Sequence, residues 1–155
     1  MKTARSAAYL RLSPRTVRRL FQLALTGLWG WFTLKFFLEG DRPAVLVASG
    51  VCLLGGIAAA LLVFLSDLSF IAHAPERDID EYQLQQRNRA YLATLRYGSA
   101  ALALAWLARM LRIQPHPVSA GVLDNFILVL FVTMLIAPAG FLATQLGEDE
   151  KPSGA

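Results

Sequence analysis

The stretch "VLVASGVCLLGGIAAALLVFL", Val45 to Leu65, constrains this chain more than any other feature. It has no charge on any face of a helix. A soluble amphipathic helix keeps one polar stripe for water, and this stretch has none. It also has the roughly 20 apolar residues that a helix needs to cross a bilayer core of about 30 Å. Three further stretches meet that length: Leu20 to Leu38, Leu92 to Leu111 and Val122 to Leu146. The expectation is an all-α integral membrane protein with four transmembrane helices. They would form two antiparallel hairpins joined by a cytoplasmic helical arm. The hydrophobic fraction of 55% and charged fraction of 17% agree with that class.

The placement of charge is more informative than its total of +4. Lys2, Arg5, Arg11, Arg15, Arg18 and Arg19 precede the first span. Arg77, Arg87 and Arg89 lie in the central connection, with Arg96 just inside the third span. The first connection has only Arg42 and the third has Arg112. Lys and Arg are retained on the cytoplasmic side. Both termini and the central arm are therefore expected in the cytoplasm, as in a multi-pass protein of the bacterial inner membrane. The basic N-terminus would meet anionic lipid headgroups; Ala4, Ala8 and Leu12 recur at i+4 among its charges. Nucleic acid is not an expected partner, because no aromatic stacking platform accompanies the charge. The basic start has no A-x-A-like cleavage site after it, so it reads as an uncleaved span.

Punctuation in the sequence divides the single membrane domain. Residues 1–13 form a basic segment and 14–66 the first hairpin, whose helix begins at Ser13 as cap with Pro14 at the first helical position. Gly40 and Pro43 turn that hairpin, and Pro115 and Pro117 turn the second, residues 92–146. Residues 67–91 are the arm and 147–155 an acidic tail. With no Gly or Pro between Glu76 and Tyr97, one continuous helix is expected from about Pro75 to Met110.

The arm carries "DEYQLQQRNRAY", Asp80 to Tyr91. The Asp80-Glu81 pair followed by Arg87, Arg89, Ala90 and Tyr91 before a span resembles a pattern in small bacterial four-span membrane proteins of uncharacterised role. That resemblance implies a membrane location and no activity. "RAYLATL", Arg89 to Leu95, resembles the Arg-Ala-His-x-Asn-x-x-Glu segment of the membrane-associated eicosanoid and glutathione metabolism family, whose members are also short four-span proteins. Arg89 and Ala90 match. Tyr91 stands in the place of the His, Ala93 of the Asn and Arg96 of the Glu. The segment precedes span three here, whereas the family carries it on span two. The resemblance implies a glutathione-dependent membrane enzyme as a remote alternative, without the groups that would hold glutathione.

Residues that could carry chemistry are few. His73 and His116 fall outside the apolar spans, one on each expected side, with no Cys or acid at metal-ligand spacing. Cys52 is the single cysteine, so no intramolecular disulfide or dithiol chemistry is available. No catalytic, cofactor or metal residue is assigned. Two helix-packing stripes of small residues are expected, Ala48, Cys52, Gly56 and Ala60 on span two and Gly98, Ala101 and Ala105 on span three. A charge pair is expected between Asp124 and Arg109 or Arg112. Pro138 frees a carbonyl inside span four. Trp29 and Trp31 fall mid-span, suited to contact with lipid, a neighbouring helix, a pigment or a quinone. On the arm, Ile79, Tyr82, Gln86 and Arg89 recur at spacings of three or four and are expected to form one docking face. The function expected is a non-catalytic accessory or assembly subunit in contact with other membrane subunits. A small oligomeric transporter or channel is the alternative.

Overall fold

The computed structural model describes residues 10–37, 43–76, 79–110 and 120–149. The described residues form five helices: α1 (Pro14–Phe37), α2 (Pro43–Phe64), α3 (Asp67–His73), α4 (Glu81–Met110) and α5 (Ala120–Asp149). The chain is all-α. Two of the helices, α2 and the Gly121–Leu146 part of α5, are long and apolar enough to cross a membrane. α1 and α4 have the length, at 24 and 30 residues. They fall short of that apolarity because polar residues continue past their openings, Gln22 and Lys35 in α1 and Arg96 and Arg109 in α4.

Helix ends follow local chemistry. Ser13 caps α1: its Oγ accepts from the Thr16 N–H at 3.2 Å, and Pro14 takes the first position. α2 ends beside a one-residue turn at Leu65. Ser66 then caps α3, accepting from the Ser69 N–H. The chain preceding α1 closes over this turn. The Leu10 N–H donates to the Leu65 carbonyl at 2.9 Å, and the Asp67 N–H donates to the Leu10 carbonyl at 3.1 Å.

α1 and α2 pair antiparallel, and their backbones touch. A Cβ on Gly27 would lie 2.8 Å from both the Cys52 carbonyl oxygen and the Gly56 Cα. A Cβ on Gly56 would lie 2.9 Å from the Leu28 nitrogen. α5 is the hub, packed against α1, α2, α3 and α4. Ile136, Ala137, Ala139, Leu142 and Ala143 are buried along it, against Val17, Phe21 and Ala24 of α1 and Ala59, Ala60 and Val63 of α2. The Phe21 ring sits on Gly140 and meets Phe141 edge-on at 5.5 Å. Pro138 lies inside α5 and is buried in this core. A second cluster joins Leu28 and Trp31 to Val129.

The central arm differs from expectation. No continuous helix runs from Pro75. α3 ends at His73, residues 74–76 turn, and α4 begins at Glu81. Asp80 is the reason: its carboxylate accepts from the Gln83 N–H at 2.7 Å, and its carbonyl from the Leu84 N–H. An N-cap residue has non-helical backbone angles, so the helix starts there.

The Gly27–Gly56 crossing gives a signed prediction. Gly56→Ala should destabilise the protein by about 1–3 kcal/mol through overpacking. Gly55→Ala, with open space around its added Cβ, should be neutral or stabilising by about 0.5–1 kcal/mol through helix propensity. Thermal unfolding in detergent checks the pair. Equal shifts would place the crossing elsewhere.

Candidate functional site

Two features outside the core deserve a functional reading: the elbow between α3 and α4, and a groove between α1, α4 and α5.

The elbow is built by side chains of α4 reaching back. Arg87 Nη1 donates to the Ala74 carbonyl at 2.6 Å, and Nη2 meets Glu76 Oε1 at 3.2 Å. The Tyr91 hydroxyl donates to the Ala72 carbonyl at 3.1 Å. The last carbonyls of a helix have no partner within it. Here two of the acceptors at the end of α3 receive α4 donors. Arg87 is nearly buried, whereas Glu76 is 76% exposed. The hydrogen bond to Ala74 therefore matters more than the ion pair, which solvent screens.

The elbow changes the expected docking face. Tyr82 and Arg89 are exposed, and Ile79 is half-buried. Gln86 is turned inward, 8% exposed, and donates to the Tyr82 hydroxyl at 3.0 Å. Gln86, Ala90, Thr94 and Gly98 are buried at intervals of four, so the inward row of α4 begins at Gln86. The four residues do not form one outward face. Tyr82 and Arg89 share theirs with Gln85, Asn88 and Leu92, all exposed.

The small-residue stripes divide in a similar way. Gly56 and Ala60 are buried, and Cys52 is half-buried with its sulfur 3.8 Å from where a Cβ on Gly30 would sit. Ala48 is exposed. On α4, Gly98 is buried with the Met134 sulfur 2.7 Å from the place of its missing Cβ. Ala101 and Ala105 line the groove instead of a helix contact.

That groove is a cavity of about 610 Å³. Trp29, Phe32 and Phe36 of α1 form one wall. Tyr97, Ala101, Leu104, Ala105 and Arg109 contribute the α4 wall, and Val122, Leu123 and Phe126 of α5 complete it. Its rings are in contact: Trp29 lies 5.9 Å from Phe32 and 6.0 Å from Phe126 between centroids, and Phe32 lies 5.8 Å from Phe126. The Trp29 indole N–H donates to the Tyr97 hydroxyl across the gap between α1 and α4. Small side chains on α4 opposite large rings on α1 leave the space open. Trp31 is buried in the core and does not line it.

Arg109 lines the groove, while Asp124 is exposed and does not line it. Among the described residues no ion pair joins them, because Arg109 is placed on the cavity wall; Arg112 and His116 lie outside the described residues. His73 Nδ1 is 2.8 Å from the Ser69 carbonyl of its own helix. Among the described residues no group of three His, Cys, Asp or Glu side chains is arranged to hold a metal ion.

Arg87→Met should leave the Ala74 carbonyl without its donor, a local loss of about 1–3 kcal/mol. Amide hydrogen exchange at residues 79–84 should accelerate, and that of α5 should not. Arg89→Met, on the exposed side, should leave exchange unchanged; equal effects from both would remove the special role of Arg87. No family model, no curated protein and no solved structure matches this chain.

Proposed function

We propose that the chain is a four-span protein of the bacterial inner membrane and acts by contact, as a non-catalytic accessory or assembly subunit of a larger membrane complex. α1, α2, α4 and α5 would cross in two antiparallel hairpins, with both termini and the α3–α4 elbow in the cytoplasm. Membrane crossing by α1 and α4 is part of the proposal; their polar openings would lie at the cytoplasmic surface, where Arg15, Arg18 and Arg19 match Arg87 and Arg89 in sign.

The observation that carries the contact reading is the outward side of α4. Tyr82 and Arg89 are exposed at its start, and Leu92, Leu95 and Leu102 are exposed along the rest, with Leu95 at 61%. One helix thus presents polar and aromatic residues at its start and apolar ones further along. That suits a partner that is itself both cytoplasmic and membrane-embedded. Tyr, Trp and Arg are the side chains that most often dominate interface energies. The elbow supports the same reading: Arg87 and Tyr91 tie α4 to α3, and an interface already held in place loses less entropy on binding.

Two measurements test the parts separately. In a Cys52→Ser background, single cysteines at Gln85 and Asp124 should label from opposite sides of the membrane; labelling of both from one side would reject the topology. After gentle detergent extraction, Tyr82→Ala and Arg89→Ala should each weaken binding of co-purifying subunits by about thirtyfold, the equivalent of about 2 kcal/mol for a central contact. Glu81→Ala, at the helix start, should not. Unchanged recovery with all three would reject the docking face.

A further inference from the structure

The groove between α1, α4 and α5 has a polar end and an apolar body, and its dimensions point to a ligand class. Arg109 lies near the C-terminal end of α4 and Tyr97 twelve residues earlier on the same helix. At 1.5 Å per residue the two are about 18 Å apart along the helix axis. That is a little over half of a bilayer core of about 30 Å, the depth that the acyl chains of one leaflet fill. Between these ends the lining is almost wholly carbon: the rings of Trp29, Phe32 and Phe126 face the small side chains Ala101 and Ala105. At the deep end the indole N–H of Trp29 is satisfied by the Tyr97 hydroxyl. The strongest polar group of the site is the guanidinium of Arg109 at its outer end.

We infer that the groove is a binding site for a lipid with an anionic phosphate headgroup: one acyl chain along the aromatic wall, the phosphate on Arg109. Arginine suits this role because its planar donors match phosphate oxygens in pairs. The volume of about 610 Å³ falls within the range of small-ligand pockets. It is too small for a partner helix, whose diameter with side chains is about 10–12 Å. α5 closes the back of the groove, and the Trp29–Tyr97 hydrogen bond bridges α1 and α4 at depth. Asp124 is exposed and does not line the groove, and among the described residues no ion pair ties Arg109 to it. The inference takes its lipid source from the membrane reading above. It is separable from that reading, because sidedness of labelling reports topology and lipid selectivity reports the groove.

The test uses the full chain in detergent and phospholipids with brominated acyl chains, which quench nearby tryptophan fluorescence. Trp29 and Trp106 line the groove. Brominated phosphatidylglycerol should quench saturably, at concentrations about tenfold or more below those needed with brominated phosphatidylcholine, the ratio expected for one charge-assisted hydrogen-bonded contact. Arg109→Gln, an exposed position whose change should leave helicity intact by circular dichroism, should abolish the preference. Ala105→Leu and, separately, Ala101→Leu should fill the slot and remove the saturable phase for both lipids. Glycerol phosphate should not compete; competition by it would overturn the lipid assignment in favour of a free phosphate ligand. Equal quenching by the two lipids would overturn the site, as would insensitivity to Arg109→Gln in folded protein. Stronger displacement by a neutral quinone than by phosphatidylglycerol would overturn the headgroup assignment.

Discussion

Helix contact in this protein depends on where side chains are missing. α1 and α2 meet at Gly27 and Gly56 with no room for a methyl group on either. Phe21 lies on Gly140, and Met134 fills the space over Gly98. In the membrane proposed for it, apolar side chains would gain nothing by leaving one apolar neighbour for another, so close packing and dispersion would hold the helices together. These contacts therefore fix the spacing of every other element. α5 can serve as hub because the small residues Ala137, Ala139, Gly140 and Ala143 are interspersed in its buried row with Val129, Thr133, Ile136, Pro138 and Leu142.

The same rule read in reverse explains the groove. At Ala101 and Ala105 α4 again offers small side chains, yet the facing wall of α1 carries Trp29, Phe32 and Phe36. Phe32 and Phe36 stack, Trp29 meets Phe32 edge-on, and Phe126 is tilted against Phe32. They are held at a distance from α4, bridged by Tyr97. Small residues are thus a packing surface where the facing side chain fits over them, as Phe21 does on Gly140, and a cavity wall where the facing rings are held back, as at Ala101 and Ala105.

Much of this was readable in residue order. The charge-free run of α2, the Ser13-Pro14 start of α1 and the length of α5 are local properties, and the helices follow them. The break before α4 also had a local signal that helix-breaker counting overlooks: Asp80 with Gln83 three residues on, an acidic cap followed by a polar N3 residue. The inward turn of Gln86 had none. Its side is decided by which residues of α4 meet α5, and spacings of three and four fit the two competing faces equally well. Arg87 read as one more cytoplasmic charge, whereas its main partner is a backbone carbonyl thirteen residues earlier. Of the groove only Trp29 stood out in the sequence, as a mid-span ring suited to lipid or a bound ring; its other walls come together only when α1, α4 and α5 are assembled.

The pairing of Leu10 with the Leu65–Asp67 turn has a consequence for how the chain assembles during synthesis. Both strands of this clasp belong to the first half of the protein. It can close as soon as α2 and the start of α3 have emerged, with α1 and α2 already in contact at their glycines. Val17, Phe21 and Ala24 lack their α5 partners Ile136 and Leu142 at that stage, and Leu28, already against Gly56, lacks Val129. The first hairpin thus keeps an open seam until α5 has been made and seals it. N-terminal parts commonly fold first during synthesis. A chaperone or insertase that shields apolar seams would have its work between the birth of α2 and the arrival of α5.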